Sequence, residues 1–238
     1  MHTIYPQNQG LYNSAYEHDA CGIGFVAHVK GQQSHDIIRR GLEVLERMTH
    51  RGAESADNKT GDGAGILLQL PHAFFRSEIP ALPEPGHYGM GLVFLPRDPD
   101  EAAYCVRTFD ALAAAEGLEV VAWRDVPVES DVLGAIARSA EPVIRQVFVT
   151  GPLHGDALER KLYVLRKQAE ITLRQSALRG KASFYITHLS TRTVIYKGML
   201  MAEQIRRYYP ELNDSRMTSA IALVHSRRAR DLFVGHEM

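Results

Sequence analysis

Apolar positions along this chain change their spacing several times, and the changes mark out its elements. Residues 1–20 follow no period; with Pro6, Gly10 and several Asn and Gln they read as an irregular leader. From Cys21 the pattern alternates, Ile23, Phe25 and Ala27 against Gly24 and Val26, which predicts a buried strand running to about Gly31. Ile37, Ile38, Gly41, Leu42, Leu45 and Met48 then recur at helical spacing behind Ser34, a candidate N-cap. After a turn-rich stretch over 50–63, Ala64 to Leu70 predicts a second buried strand, and Pro71 suits the first position of a short helix.

Tyr88 to Leu95 predicts a third strand and Asp98 to Glu116 a helix starting near Pro99. Past the Gly117 break, Leu118 to Pro127 and then Val143 to Thr150 predict two more strands. The clearest helix runs from Asp156 to Leu178, where Asp156 and Glu159 have capping-box spacing and Leu158, Leu162, Leu165, Ala169 and Thr172 trace one face. Ser183 to His188 and Thr193 to Lys197, on either side of Ser190-Thr191-Arg192, predict a hairpin, and Thr218 to His225 a last strand. Strands that come in groups as well as between helices favour an α+β fold with mainly antiparallel sheets over a doubly wound parallel sheet. Pro80 to Gly86 is the most linker-like stretch, and there is no internal repeat.

Composition narrows the function. The 27 basic and 28 acidic side chains leave a formal charge of −1, so no net field calls for nucleic acid or a lipid surface. There is neither a secretory signal nor an apolar run long enough for a membrane span, which implies a cytoplasmic chain. The two cysteines, Cys21 and Cys105, are too few for a disulfide framework. The 11 histidines form no zinc-like spacing, so no metal site is expected.

Three stretches could carry chemistry. Gly61-Asp62-Gly63-Ala64-Gly65 fails both nucleotide-loop patterns and reads as a tight turn feeding a strand. His50-Arg51-Gly52 is either a satisfied turn or a functional clamp. Cys21 is either a small core residue or a nucleophile. If the bond after Ala20 were cut, the new α-amine, titrating near ~8, would share a residue with a thiol titrating near ~8.5, a pairing of base and nucleophile suited to neutral pH. Gly22 and Gly24 would then let a substrate approach the strand closely.

Cys21-Gly-Ile-Gly-Phe-Val-Ala27, Thr49-His-Arg-Gly-Ala53 and Thr60-Gly-Asp-Gly-Ala-Gly-Ile66 occur in that order. Further blocks are Glu159 to Arg166, Ser183 to Ile186, Val194 to Met199 and Ala222 to Arg227. Over roughly residues 11–227 the chain closely resembles the class II glutamine amidotransferase domain that opens the large subunit of glutamate synthase. The resemblance implies an N-terminal nucleophile (Ntn) hydrolase, a four-layer αββα sandwich that hydrolyses the side-chain amide of L-glutamine. It implies a leader or propeptide over 1–20, the amidotransferase domain over 21–227 and a divergent tail over 228–238. It makes Cys21 the nucleophile that forms a γ-glutamyl thioester, its freed amine the general base, Arg227 the residue that binds the glutamine α-carboxylate, and Arg51 a support for the nucleophile strand. The partners implied are the synthase domains and small subunit of the parent enzyme. Its FMN and iron–sulfur cluster are expected outside this chain, which is expected to hold no cofactor of its own.

After Arg227 the likeness stops, and no Asn-Gly pair, the family's source of an oxyanion hole, occurs in the chain. The expectation is a C-terminally truncated sandwich with weak or absent glutaminase activity, since removing even one oxyanion donor costs about 10²–10³ in rate. Two other readings stand beside it: a non-catalytic remnant that acts as a binding or interaction module, and another Ntn amide hydrolase.

Overall fold

The computed structural model describes residues 22–49, 57 and 59–226. Two four-stranded antiparallel sheets carry the architecture. The first holds β1 (Gly22–Ala27), β2 (Ala64–Gln69), β7 (Thr193–Gly198) and β8 (Ile221–Ser226) in the order β1-β8-β2-β7. The second holds β3 (Tyr88–Leu95), β4 (Glu119–Asp125), β5 (Val143–Thr150) and β6 (Tyr185–Ile186) in the order β4-β5-β3-β6. The fold is α+β, as the grouping of strands implies.

Helices cover one face of each sheet. α1 (His35–Arg47) lies across β1 and β8, with Ile37, Ile38, Leu42 and Leu45 pointing inward. Its approach depends on two glycines: a Cβ on Gly41 would stand 2.5 Å from Ala222 Cβ, and one on Gly24 would stand 2.5 Å from Val44 Cγ1. Against the second sheet lie α3 (Pro99–Ala115) and α5 (Gly155–Arg174), which meet Val93, Leu95, Val147 and Val149 in a core of their own. The larger core joins α1, the covered face of the first sheet, the other face of β3 and β5, and the short α2 (His72–Glu78) and α6 (Ile205–Tyr208). Leu82, fully buried in that core, ties the Pro-rich stretch 80–86 into the domain rather than leaving it a linker.

Local chemistry explains the boundaries. Asp98 caps α3 by accepting from the amides of Asp100 and Glu101, both at 3.0 Å, and Pro99 follows at the first helical position. Pro71 caps α2 instead of beginning it. The capping box read into Asp156 and Glu159 does not form; His154 is the N-cap of α5, and its side chain makes no capping bond. The Glu159 carboxylate reaches across to accept from Ser190 Oγ, Thr191 N and Thr191 Oγ1, each at 2.7 Å.

That grip also undoes the expected hairpin. β6 pairs with β3 and β7 with β2, so the turn held by Glu159 passes the chain from one sheet to the other.

β1 departs furthest from expectation. It ends at Ala27, and the period-2 pattern is real but inverted: Gly22, Gly24 and Val26 point inward, while Ile23 and Phe25 are each 70% exposed. The small residues face in because α1 needs the room. Leu223, the register partner of Phe25 on β8, is also exposed, so this face of the first sheet presents a run of apolar side chains.

Candidate active site

One row of residues closes an end of the first sheet. Gly22 of β1 pairs with Ser226 of β8, Ser226 pairs on its other side with Ala64 of β2, and Ala64 pairs with Gly198 of β7. The segments of the chain richest in candidate chemistry therefore adjoin this row. Gly22 follows Cys21, Ser226 precedes Arg227, and Ala64 sits inside the glycine-rich turn. Cys21, Arg51 and Arg227 lie outside the described residues.

The glycine-rich turn is what its sequence suggests, the entry to β2. Gly63 has φ +139°, in the region that favours glycine. A Cβ on Gly61 would stand 2.5 Å from the backbone carbonyl of Leu200, and one on Gly65 would stand 2.9 Å from Lys197 Cβ and 3.1 Å from the His225 ring. These glycines serve backbone packing beside the site. So does Gly24, whose missing side chain makes room for Val44 and not for a substrate.

Two side chains that the sequence reading passed over hold this turn. Asp57 Oδ1 accepts from the amides of Thr60 at 2.8 Å and Lys59 at 3.1 Å, and Oδ2 from the Thr60 hydroxyl at 2.6 Å. The Thr60 hydroxyl bond, with the backbone amides behind it, holds the Asp57 carboxyl at about 2, so it is ionised at any physiological pH. From the other side Gln204 donates to Lys59 O and to Val132 O, both at 2.8 Å. An Asp three residues before a Thr is the local signal for such a turn. No local signal marks Gln204, whose partners lie 145 and 72 residues away.

Beside the turn, a cavity of about 30 Å³ is lined by Lys197 to Leu200, Ala137, Glu141 and Tyr209. It has room for about one water and not for an amino acid. Near it Glu141 accepts from Ser130 Oγ and Tyr208 OH, each at 2.7 Å.

Two other buried groups, His188 and Cys105, are held in uncharged forms. Burial, reinforced by the nearby Arg166 and Lys197, pushes His188 down to about 3, so it stays neutral, its Nδ1 2.8 Å from the Thr187 hydroxyl. Burial, with Glu101 nearby, pushes the Cys105 thiol up to about 11, which makes it a core residue and not a thiolate. No group of three or more His, Cys, Asp or Glu positioned to hold a metal ion occurs among the described residues.

The described residues thus form a two-sheet α+β domain in which a glycine-rich turn and two strand ends converge on one row. The chain belongs to the class-II glutamine amidotransferases, an enzyme family whose sequence pattern matches residues 21–233. Among similar proteins, the glutamate synthase [NADPH] large chain of Bacillus subtilis is 45% identical over 233 residues, covering 96% of this chain and 15% of the relative. The glutamate synthase [NADH] of Saccharomyces cerevisiae is 40% identical over 247 residues, 97% of this chain and 11% of the relative. The glutamate synthase [NADPH] large chain of Azospirillum brasilense is 38% identical over 235 residues, 93% of this chain and 15% of the relative. The chain thus spans between 11% and 15% of the length of these relatives.

Proposed function

We propose that this chain is the glutamine-hydrolysing part of a glutamate synthase and that Cys21 is its nucleophile. The observation that carries the reading is the row Gly22–Ser226–Ala64, because it gathers the sequence neighbours of Cys21, of Arg227 and of the glycine-rich turn at one sheet end. Removal of residues 1–20 would free the α-amine of Cys21. That amine takes the thiol proton, and the thiolate attacks the side-chain amide carbon of L-glutamine. The tetrahedral intermediate collapses to a γ-glutamyl thioester as the amine returns its proton to the departing ammonia. Water, deprotonated by the same amine, then cleaves the thioester to glutamate. Arg227 holds the α-carboxylate of the substrate through its planar fork, and Arg51 supports the strand that carries Cys21.

The complete domain in this reading is a four-layer αββα sandwich. The exposed Ile23, Phe25 and Leu223 support it, because an apolar sheet face of this kind calls for a second layer. The lack of an Asn-Gly pair to donate to the oxyanion supports weak hydrolysis by these 238 residues. In the parent enzyme the ammonia passes to synthase domains working with a small subunit in the cytoplasm. The residues here do not fit an iron–sulfur cluster: of the two cysteines, Cys105 is fully buried with a raised pKa, which leaves no set of thiolates. FMN and the cluster belong to the synthase part. Among the described residues no helix is long and apolar enough to cross a membrane.

The test is intact-mass analysis of the purified protein followed by treatment with a diazoketone analogue of glutamine. A mature chain beginning at Cys21, labelled once at that residue and not labelled in Cys21→Ala, is the expected result. A chain that keeps residues 1–20, or a mature chain that resists the analogue, overturns the assignment.

A further inference from the structure

The outward stripe of α5 has a spacing and a charge pattern that the amidotransferase reading does not use. Leu158, Leu162, Leu165, Ala169 and Leu173 bury the inner face of this 20-residue helix. On the outer face Arg160, Val164, Lys167, Ile171 and Arg174 are exposed and recur at steps of four and three. Ile171 and the neighbouring Tyr163 are each 55% exposed. Steps of four and three give a period of 3.5, the spacing that keeps one seam of a helix against another.

Beyond its first turn, charge on this helix is sorted by direction. Glu159 is spent on the turn at Ser190 and Thr191. Glu170 is buried and takes Lys167 Nζ at 3.1 Å. Across the α3–α5 contact, Glu116 is engaged by Lys161 and by Gln168 Nε2. On the outer face Asp156, in the first turn, is paired with Arg192; from Arg160 to Arg174 the stripe carries no carboxylate, and Arg160 and Arg174 make no ion pair among the described residues. The result is a seam of two aliphatic side chains set between cations.

We propose that the outer face of α5 is a docking surface for an acidic amphipathic helix of a protein partner. Its apolar residues would sit on Val164 and Ile171, and its glutamates would face Arg160, Lys167 and Arg174. Three cations spaced a turn or two apart, with aliphatic and tyrosine side chains between them, resemble a protein interface more than a phosphate track, which draws on a denser set of phosphate contacts.

The test uses a 21-residue synthetic helix with leucine at 3.5-residue spacing flanked by glutamate, and a matched peptide with lysine in place of glutamate. A single-stranded RNA of 20 nucleotides and phosphatidylserine vesicles serve as competing anions. The acidic peptide is expected to bind the intact protein with a Kd below about 100 μM, weakening at least fivefold from 50 to 300 mM salt. Two double variants, Arg160→Glu with Arg174→Glu and Val164→Asp with Ile171→Asp, should each lose binding tenfold or more. Because all four side chains are exposed, the thermal midpoints should stay within about 2 °C of the parent. Absence of binding, equal binding of the lysine peptide, or tighter binding to RNA or vesicles overturns the proposal.

Discussion

The two sheets share strand number and antiparallel pairing, yet they are buried very differently. Every residue of β3, at the centre of the second sheet, is buried, with one face on α3 and α5 and the other in the larger core. β1, at the edge of the first sheet, buries only Gly22 and exposes Ile23, Phe25 and Ala27. The second sheet is a scaffold whose side chains are consumed by packing. Among the described residues the first has a helix, α1, on one face and exposes Ile23, Phe25 and Leu223 on the other, and its end carries the row beside which the proposed chemistry lies. The proposed site adjoins the less completely packed sheet, in keeping with the need of any site to leave room for a substrate.

Four substitutions put that contrast to the test, taken from the largest expected effect down. Phe148→Ala on β5 removes a fully buried ring packed edge-on at 5.2 Å from Phe75, and should cost about 3–5 kcal/mol in urea unfolding. A loss below ~1 kcal/mol would show that the second sheet is no scaffold. Next comes Glu211→Ala. Glu211 accepts from Tyr196 OH at 2.5 Å and Arg124 at 2.7 Å, and its removal leaves the 14%-exposed guanidinium of Arg124 without its closest carboxylate, an expected loss of about 3 kcal/mol.

The third is a pH effect. His188 is lowered to about 3 in the folded chain and returns to about 6.5 on unfolding, so between those values the unfolded state binds the extra proton. Its contribution is complete above pH 6.5 and is lost as pH falls toward 3, by up to ~1.4 kcal/mol per pH unit. Asp57, lowered to about 2, begins to lose its contribution only below about pH 4. His188→Leu should therefore flatten the fall in stability between pH 6.5 and 4.5, as measured by denaturant unfolding at several pH values. An unchanged slope would move the acid sensitivity elsewhere. The smallest effect belongs to Phe25→Ser: a side chain 70% exposed should change stability by no more than about 0.5 kcal/mol while reducing self-association seen by light scattering. A loss comparable to that at Phe148 would mean that the face of β1 is covered already.

Much of this architecture was legible in one dimension. β3 and β5 fall where their apolar runs predict, α1 and α3 match to within a residue or two, and the glycine-rich turn feeds β2 as expected. These are elements whose burial follows from their own periodicity and caps. Local spacing misleads where a distant residue intervenes. Glu159 looks like a local cap and is instead a clamp on a turn 31 residues away. Tyr185 and Thr193 look like neighbours in a hairpin and belong to different sheets.

The alternation of Ile23 and Phe25 was visible, but its inward side was not. A period of two identifies two faces without saying which is covered, and α1 chose the glycine side because Val44 fits only there. The site divides along the same line. Sequence alone determined the identity of Cys21, the glycines and the arginines, and with them the family, because chemistry resides in residue types and their order. Only the tertiary structure decided that Gly22, Ser226 and Ala64 form one row, and that Asp57 and Gln204 grip the adjoining turn. Strand register and contacts across a hundred residues are set by the packing of the whole chain, which no local spacing encodes.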